Sequence, residues 1–165
     1  MAAWEFQTLQ NIAKENGWHR FISMQNFHNL LYREEEREMI PYCLDTGVGL
    51  IPWSPLARGI LSRPWQSPAS RREQTDRFLQ RIIRDGETAC DAYIVSRVEE
   101  VAARKGVSMS AVATAWSLSK GVSPIIGLNS KARIDEACEN VRVRLNEEDI
   151  KYLEEPYKPK VTTGY

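Results

Sequence analysis

Apolar positions along this chain switch repeatedly between helical and extended spacing. Residues 3–16 place Phe6, Leu9, Ile12 and Ala13 on one helical face, and Gly17 is a natural stop. Phe21–Asn26 (FISMQN) then predicts a short strand. Helical spacing returns from Arg33 to about Cys43, with Met39, Ile40 and Cys43 inward. The acidic run Glu34–Glu36 reads as an exposed helix start suited to the positive end of the dipole. Val48–Trp53 (VGLIPW) predicts a second strand, apolar on both faces as a buried parallel strand should be. Helices are predicted over Ala89–Lys105, after an N-cap at Ser108, from Ser130 to about Asn140, and over Asn146–Glu155. Ser123–Leu128 (SPIIGL) predicts a third strand.

Two stretches fall outside this rhythm. Residues 54–87 are rich in Ser, Pro and Arg and read as a long irregular loop, and residues 156–165 as an extended, mobile tail. The order of the remaining elements predicts a parallel α/β arrangement in a single domain, 1–165, with about three strands and surrounding helices.

Composition narrows the function classes. At 165 residues the chain is shorter than the ~250 of a complete eight-stranded barrel. Its 22 basic residues balance 22 acidic ones, which gives no electrostatic ground for a nucleic-acid partner. Cys43, Cys90 and Cys138 are unpaired in spacing and fit the reduced thiols of a cytoplasmic protein. No apolar run is long enough for a membrane span, and the opening MAAWEFQTLQ lacks the basic start and apolar core of a signal peptide. His19 and His28 have no metal-ligand spacing with any cysteine or carboxylate, so no metal is expected.

In parallel α/β folds ligands bind at the C-terminal ends of the strands. Those ends carry Gln25 and Asn26, then Trp53 and Ser54, then the turn Gly127–Ser130. An indole face can stack on a ring, an amide can pair with a carboxamide, and a turn entering a helix presents N–H groups to an anion. Each residue taken singly also has a plainer role. Trp53 could be a core aromatic, Gln25 and Ser54 polar strand caps, Arg58 a surface charge, Ser130 an N-cap, and Arg133 and Glu136 a weak pair on one helix. The arginines of 54–87 (Arg58, Arg63, Arg71, Arg72, Arg77, Arg81, Arg84) suit either a lid over phosphates or a solvated loop.

Three segments, SMQNFHNLLYREEEREM, IPWSPLARGIL and SPIIGLNSKARIDEACEN, resemble in order and spacing the C-terminal half of the aldo-keto reductases, in their aryl-alcohol-dehydrogenase-like branch. The resemblance implies part of a (β/α)8 TIM barrel and an NADP(H) cofactor that reduces or oxidises aldehyde, ketone or alcohol substrates. It implies that Gln25 contacts the nicotinamide carboxamide and that Trp53 stacks beneath the ring. Ser54, Leu56 and Arg58 follow the pyrophosphate; Asn129, Ser130 and Arg133 grip the adenosine 2′-phosphate beside Gly127; Glu136 meets adenine. His28 stands where relatives commonly have tyrosine, and Ala137 where many have asparagine. The family's catalytic Asp, Tyr, Lys and His belong to strands that precede Met1, so no catalytic residue is assigned and the isolated chain is expected to be inactive. The alternatives are a non-catalytic nucleotide-binding or subunit-pairing half barrel, through self-association or an N-terminal half, and a truncated or degenerate gene product.

Overall fold

The computed structural model describes residues 1–68 and 74–163. Helix α1, Ala3–Glu15, starts where the Glu5 carboxylate accepts the Ala2 backbone N–H at 2.8 Å, and Gly17 (φ +68°) turns the chain away from it. Its buried face is Phe6, Gln10 and Ala13, not the expected Leu9 and Ile12, which remain 39% and 41% exposed. The reason is the Gln10 amide, which bonds both the N–H (2.8 Å) and the carbonyl (2.9 Å) of Phe21 as a strand partner would.

Strands β1 (Ser23–Met24) and β2 (Gly49–Leu50) pair in parallel. Gly49, Ile51 and Trp53 donate in turn to the carbonyls of Ile22, Met24 and Asn26 at 2.8–3.0 Å. On the other side of β2, Ser123 and Ile125 donate to Leu50 and Pro52 at 2.9 and 2.8 Å, and Trp53 forms a parallel bridge with Ile125. The three predicted extended runs thus lie side by side with β2 in the middle, but their regular pairing is shorter than the sequence suggests. A rung between Ile51 and Ser123 would need an N–H at position 52, which proline lacks. Burial is also one-sided: Val48, Leu50 and Pro52 are buried, whereas Gly49 is exposed and Ile51 half-buried. The expected two-faced burial of this strand is not realised among the described residues.

Glu34–Glu36 forms a 3-10 turn before helix α2, Met39–Thr46, which Gly47 ends at φ +72°. Helices α3 (Ala89–Lys105), α4 (Met109–Ser119), α5 (Lys131–Asn140) and α6 (Glu147–Glu154) follow their predicted boundaries closely. Local capping accounts for this: Ser108 accepts from the Ala111 N–H at 3.2 Å, and Asn146 from that of Asp149 at 2.8 Å. None of these helices is long and apolar enough to cross a membrane. A small core of Phe6, Met39, Ile40, Cys43, Val48, Leu50 and Val122 joins α1 and α2 to β2. A larger one, centred on Leu30, Leu31, Val98, Val112, Trp116 and Leu153, joins α3, α4 and α6 to the loops beyond the strand ends.

The acidic run is not an exposed helix start. Glu34 and Glu35 are buried, and Glu36 accepts from His28 Nε2 at 2.8 Å and from Arg33 at 2.9 and 2.7 Å. Burial alone would raise the Glu36 pKa, but the hydrogen bonds from His28 and Arg33, with the charges of Arg33 and Lys120, bring it down to about 2. His28 is fully buried, its ring 5.0 Å from that of Trp116, and so serves the core. The C-terminal tail is tied to the same region. Tyr157 donates to Glu34 at 2.6 Å, the Lys160 ammonium meets Asp91 at 2.6 Å, and the Thr163 N–H donates to the Tyr32 hydroxyl at 3.0 Å.

The described residues of the 54–87 stretch, 54–68 and 74–87, are less irregular than predicted. A 3-10 segment, Ala57–Ser62, buries Ala57, Ile60 and Leu61, and a helical turn, Arg77–Leu79, runs into a π turn, Gln80–Arg84, that buries Leu79 and Ile83. Arg71 and Arg72 lie outside the described residues.

Candidate functional site

Beyond the C-terminal end of β2 the backbone bends sharply. Ser54, Ala57 and Arg58 have φ of +55°, +46° and +56°, followed by Gly59 at +102°. Left-handed backbone at a non-glycine residue costs of order 1 kcal/mol each, so other contacts must hold this bend. Buried Asn29 is one of them: its Nδ2 donates to the Ser54 carbonyl at 3.1 Å while its Oδ1 accepts the Leu31 N–H at 3.0 Å. Phe27 is another, stacked under the Trp53 indole at 4.4 Å and 25°. The Phe78 ring lies 5.9 Å from Trp53, tilted by 36°.

This bend forms one wall of a cleft of about 1160 Å³. Trp53, Ser54, Leu56 and Arg58 line it on one side; Gly127, Asn129, Arg133 and Glu136 line it on the other. Eight of the ten residues singled out in the sequence therefore share one cavity. Gln25 stands exposed at the end of β1 and Ser130 exposed at the start of α5; neither is part of the lining. Ser130 instead caps α5, accepting the Arg133 N–H at 3.4 Å.

The charged groups are held by short contacts. Arg58 reaches Asp76 through Nε at 2.8 Å and Nη2 at 2.5 Å, and its guanidinium lies 5.2 Å from the Phe78 ring centre, so the 76–79 turn folds against the bend. Arg133 donates to the Asn129 side chain at 3.0 Å. Glu136 does not pair with Arg133 as its spacing suggests. Its Oε1 accepts from the hydroxyls of Ser108 and Ser110, both at 2.8 Å, and these bonds hold its pKa below the usual range. Sequence reading missed this role of the two serines because their partner lies on α5, 26 and 28 residues away. It also passed over Asn29, Asp76, Thr114 and Asn140, whose local patterns are ordinary.

Chemically, the lining suits binding. It carries Arg58, Arg63 and Arg133 against the carboxylate of Glu136, and although Asp76 already pairs with Arg58 the balance stays cationic, which suits an anionic ligand. The lining includes no tyrosine, histidine or lysine among the described residues. A Cβ at Gly127 would meet no atom within 4 Å, so the fold itself does not require glycine there. Its bare backbone leaves the turn before α5 open to close approach.

The family model for aldo/keto reductases matches residues 2–158. The chain belongs to the aldo/keto reductase family. It is 64% identical over 161 residues to versiconal hemiacetal acetate reductase of Aspergillus parasiticus, covering 97% of this chain and 47% of that protein. An aryl-alcohol-dehydrogenase-type protein of Schizosaccharomyces pombe is 57% identical over 165 residues, 99% of this chain and 50% of the relative. An aldo-keto reductase of Alternaria alternata is 48% identical over 166 residues, 100% of this chain and 44% of the relative. This aldo/keto reductase chain spans about half the length of the curated relatives it matches.

Proposed function

We propose that this aldo/keto reductase chain is the cofactor-holding portion of an NADP(H)-dependent oxidoreductase that interconverts carbonyl compounds and alcohols, built as part of a (β/α)8 barrel. The observation that carries the reading is the convergence of two segments, 53–58 and 127–136, on one cleft with an excess of arginine. The residues fit a dinucleotide: an indole platform, a glycine turn open to backbone approach, and a guanidinium at a helix N-terminus. When bound, the nicotinamide supplies or accepts the hydride.

The chain's own residues bind and orient. Trp53, backed by Phe27, offers a ring face already fixed by packing. Ser54, Leu56 and Arg58 line the path for a pyrophosphate. Asn129 and Arg133, with Ser130 and Lys131 at the start of α5, favour a 2′-phosphate and hence NADP(H) over NAD(H). Glu136 is set to accept from an adenine amino group. Gln25, exposed at the end of β1, would meet the carboxamide beyond the cleft. The proton donor for the substrate lies outside this set.

Titration of the purified chain with NADPH, followed by quenching of tryptophan fluorescence, tests the reading. Saturable binding is expected, weakened about tenfold to a hundredfold for NADPH by Arg133→Ala, with little change for NADH. Binding that Arg133→Ala leaves intact would refute the phosphate assignment.

The edge of β1 away from β2 supports pairing with another subunit as part of the same proposal. The described residues place no strand there, and Ile22, Phe21 and Trp18, just before β1, are 85%, 53% and 64% exposed. Either a second copy or an N-terminal half could cover this edge.

A further inference from the structure

Thr114, on the second turn of α4, is 1% exposed, and its Oγ1 has no hydrogen-bond partner. A helical threonine usually satisfies its hydroxyl on the carbonyl four residues back. Thr8 and Thr46 of this chain do so, donating to Trp4 and Tyr42 at 2.9 and 2.7 Å. Thr114 does not, and it lines the 1160 Å³ cleft. Ser117, further along α4, is likewise buried and unpartnered but is not part of the lining. Of the two orphans, only that of Thr114 belongs to a residue of the cleft lining.

The neighbours of Thr114 in the lining define the chemistry that could satisfy it. Glu136 is fixed as an acceptor by Ser108 and Ser110, Asn140 adds a nearly buried amide, and Ala137 is small enough to leave the approach open. A hydroxyl that can donate, in the same wall as a carboxylate that can accept, matches a flat heterocycle carrying a ring nitrogen and an exocyclic amine. Resting on the dinucleotide reading above, we infer that Thr114 is a base-contacting residue whose hydroxyl donates to a ring nitrogen of the bound aminopurine. It finds its partner only in the complex.

The test is calorimetric titration of the full chain with 2′-phospho-ADP-ribose, which carries the adenosine end of the cofactor without the nicotinamide. Thr114→Val removes the hydroxyl and keeps the volume. It is expected to weaken binding roughly three- to tenfold while leaving the melting temperature unchanged or raised, because a buried unsatisfied hydroxyl is lost. Thr114→Ser should bind within about twofold of the parent. Ser117→Ala, the control, should melt no lower than the parent and bind equally. If Thr114→Val lowers the melting temperature sharply, Thr114→Ala carries the same comparison. Equal affinity of the parent and the hydroxyl-free variants would overturn the inference and leave the dinucleotide reading standing. A parent chain that ignores the probe at millimolar concentration would overturn both.

Discussion

Glu36 shows how a residue with a plain surface signature becomes a structural centre. Its carboxyl is depressed from 4.5 to about 2 in the folded chain, so its charge-dependent stability is fully present above pH ~4.5 and is lost as pH falls toward 2. The shift corresponds to at most about 3.5 kcal/mol. Glu36→Gln should therefore lower stability at pH 7 and flatten the loss between pH 5 and 2, measured by urea unfolding at each pH. A variant whose acid profile matched the parent would show that the His28–Glu36–Arg33 cluster does not govern acid stability. Gly127 gives the complementary case. Its Cβ position is open and its φ is not left-handed, so Gly127→Ala should leave stability within about 0.5 kcal/mol. NADPH affinity should fall if the turn's backbone meets the ligand, and an unchanged Kd would remove Gly127 from the site. At this scale the residue types of the cleft were legible in the sequence. The partnerships of Glu36 with His28 and of Glu136 with Ser108 and Ser110 were not, since those partners lie outside the turn or helix that carries the carboxylate.

Among elements, the segment 54–87 separates local from tertiary causes. Helices α3, α4, α5 and α6 carry their own caps and apolar stripes, so their limits can be read from adjacent residues. The 3-10 and π turns carry no such signals; buried Leu61, Leu79 and Ile83 hold them against a core formed by distant residues. The Asn29–Ser54 bond is central to the strained bend. Asn29→Ala should cost about 1–3 kcal/mol by losing that bond and exposing the strain. It should also speed amide hydrogen exchange across 54–61 before any change in α3. Uniform acceleration throughout the chain would indicate a general folding defect instead.

For the whole molecule, the small sheet and the exposed apolar residues near β1 mark a surface that solvent covers poorly. Multi-angle light scattering across a concentration series should show self-association, and Ile22→Lys should reduce it by placing a charge at the edge. A monodisperse monomer at every concentration would exclude a second copy as the cover and favour an N-terminal half. NADPH oxidation with aromatic aldehydes is expected to be absent from the purified chain. Turnover above a Trp53→Ala background would overturn the proposal that the proton donor lies outside the cleft residues.

The sequence by itself determined the family, the alternation of helix and strand, the helix caps and eight of the residues that line the cleft, because these depend on near neighbours and on motifs of fixed spacing. Tertiary structure decided which faces of α1 and β2 are buried, that the acidic run anchors the tail, and that Ser108, Ser110 and Thr114 join the site. Those outcomes depend on groups brought together across 11 to 126 residues, where burial and hydrogen-bond satisfaction, not local propensity, select the arrangement.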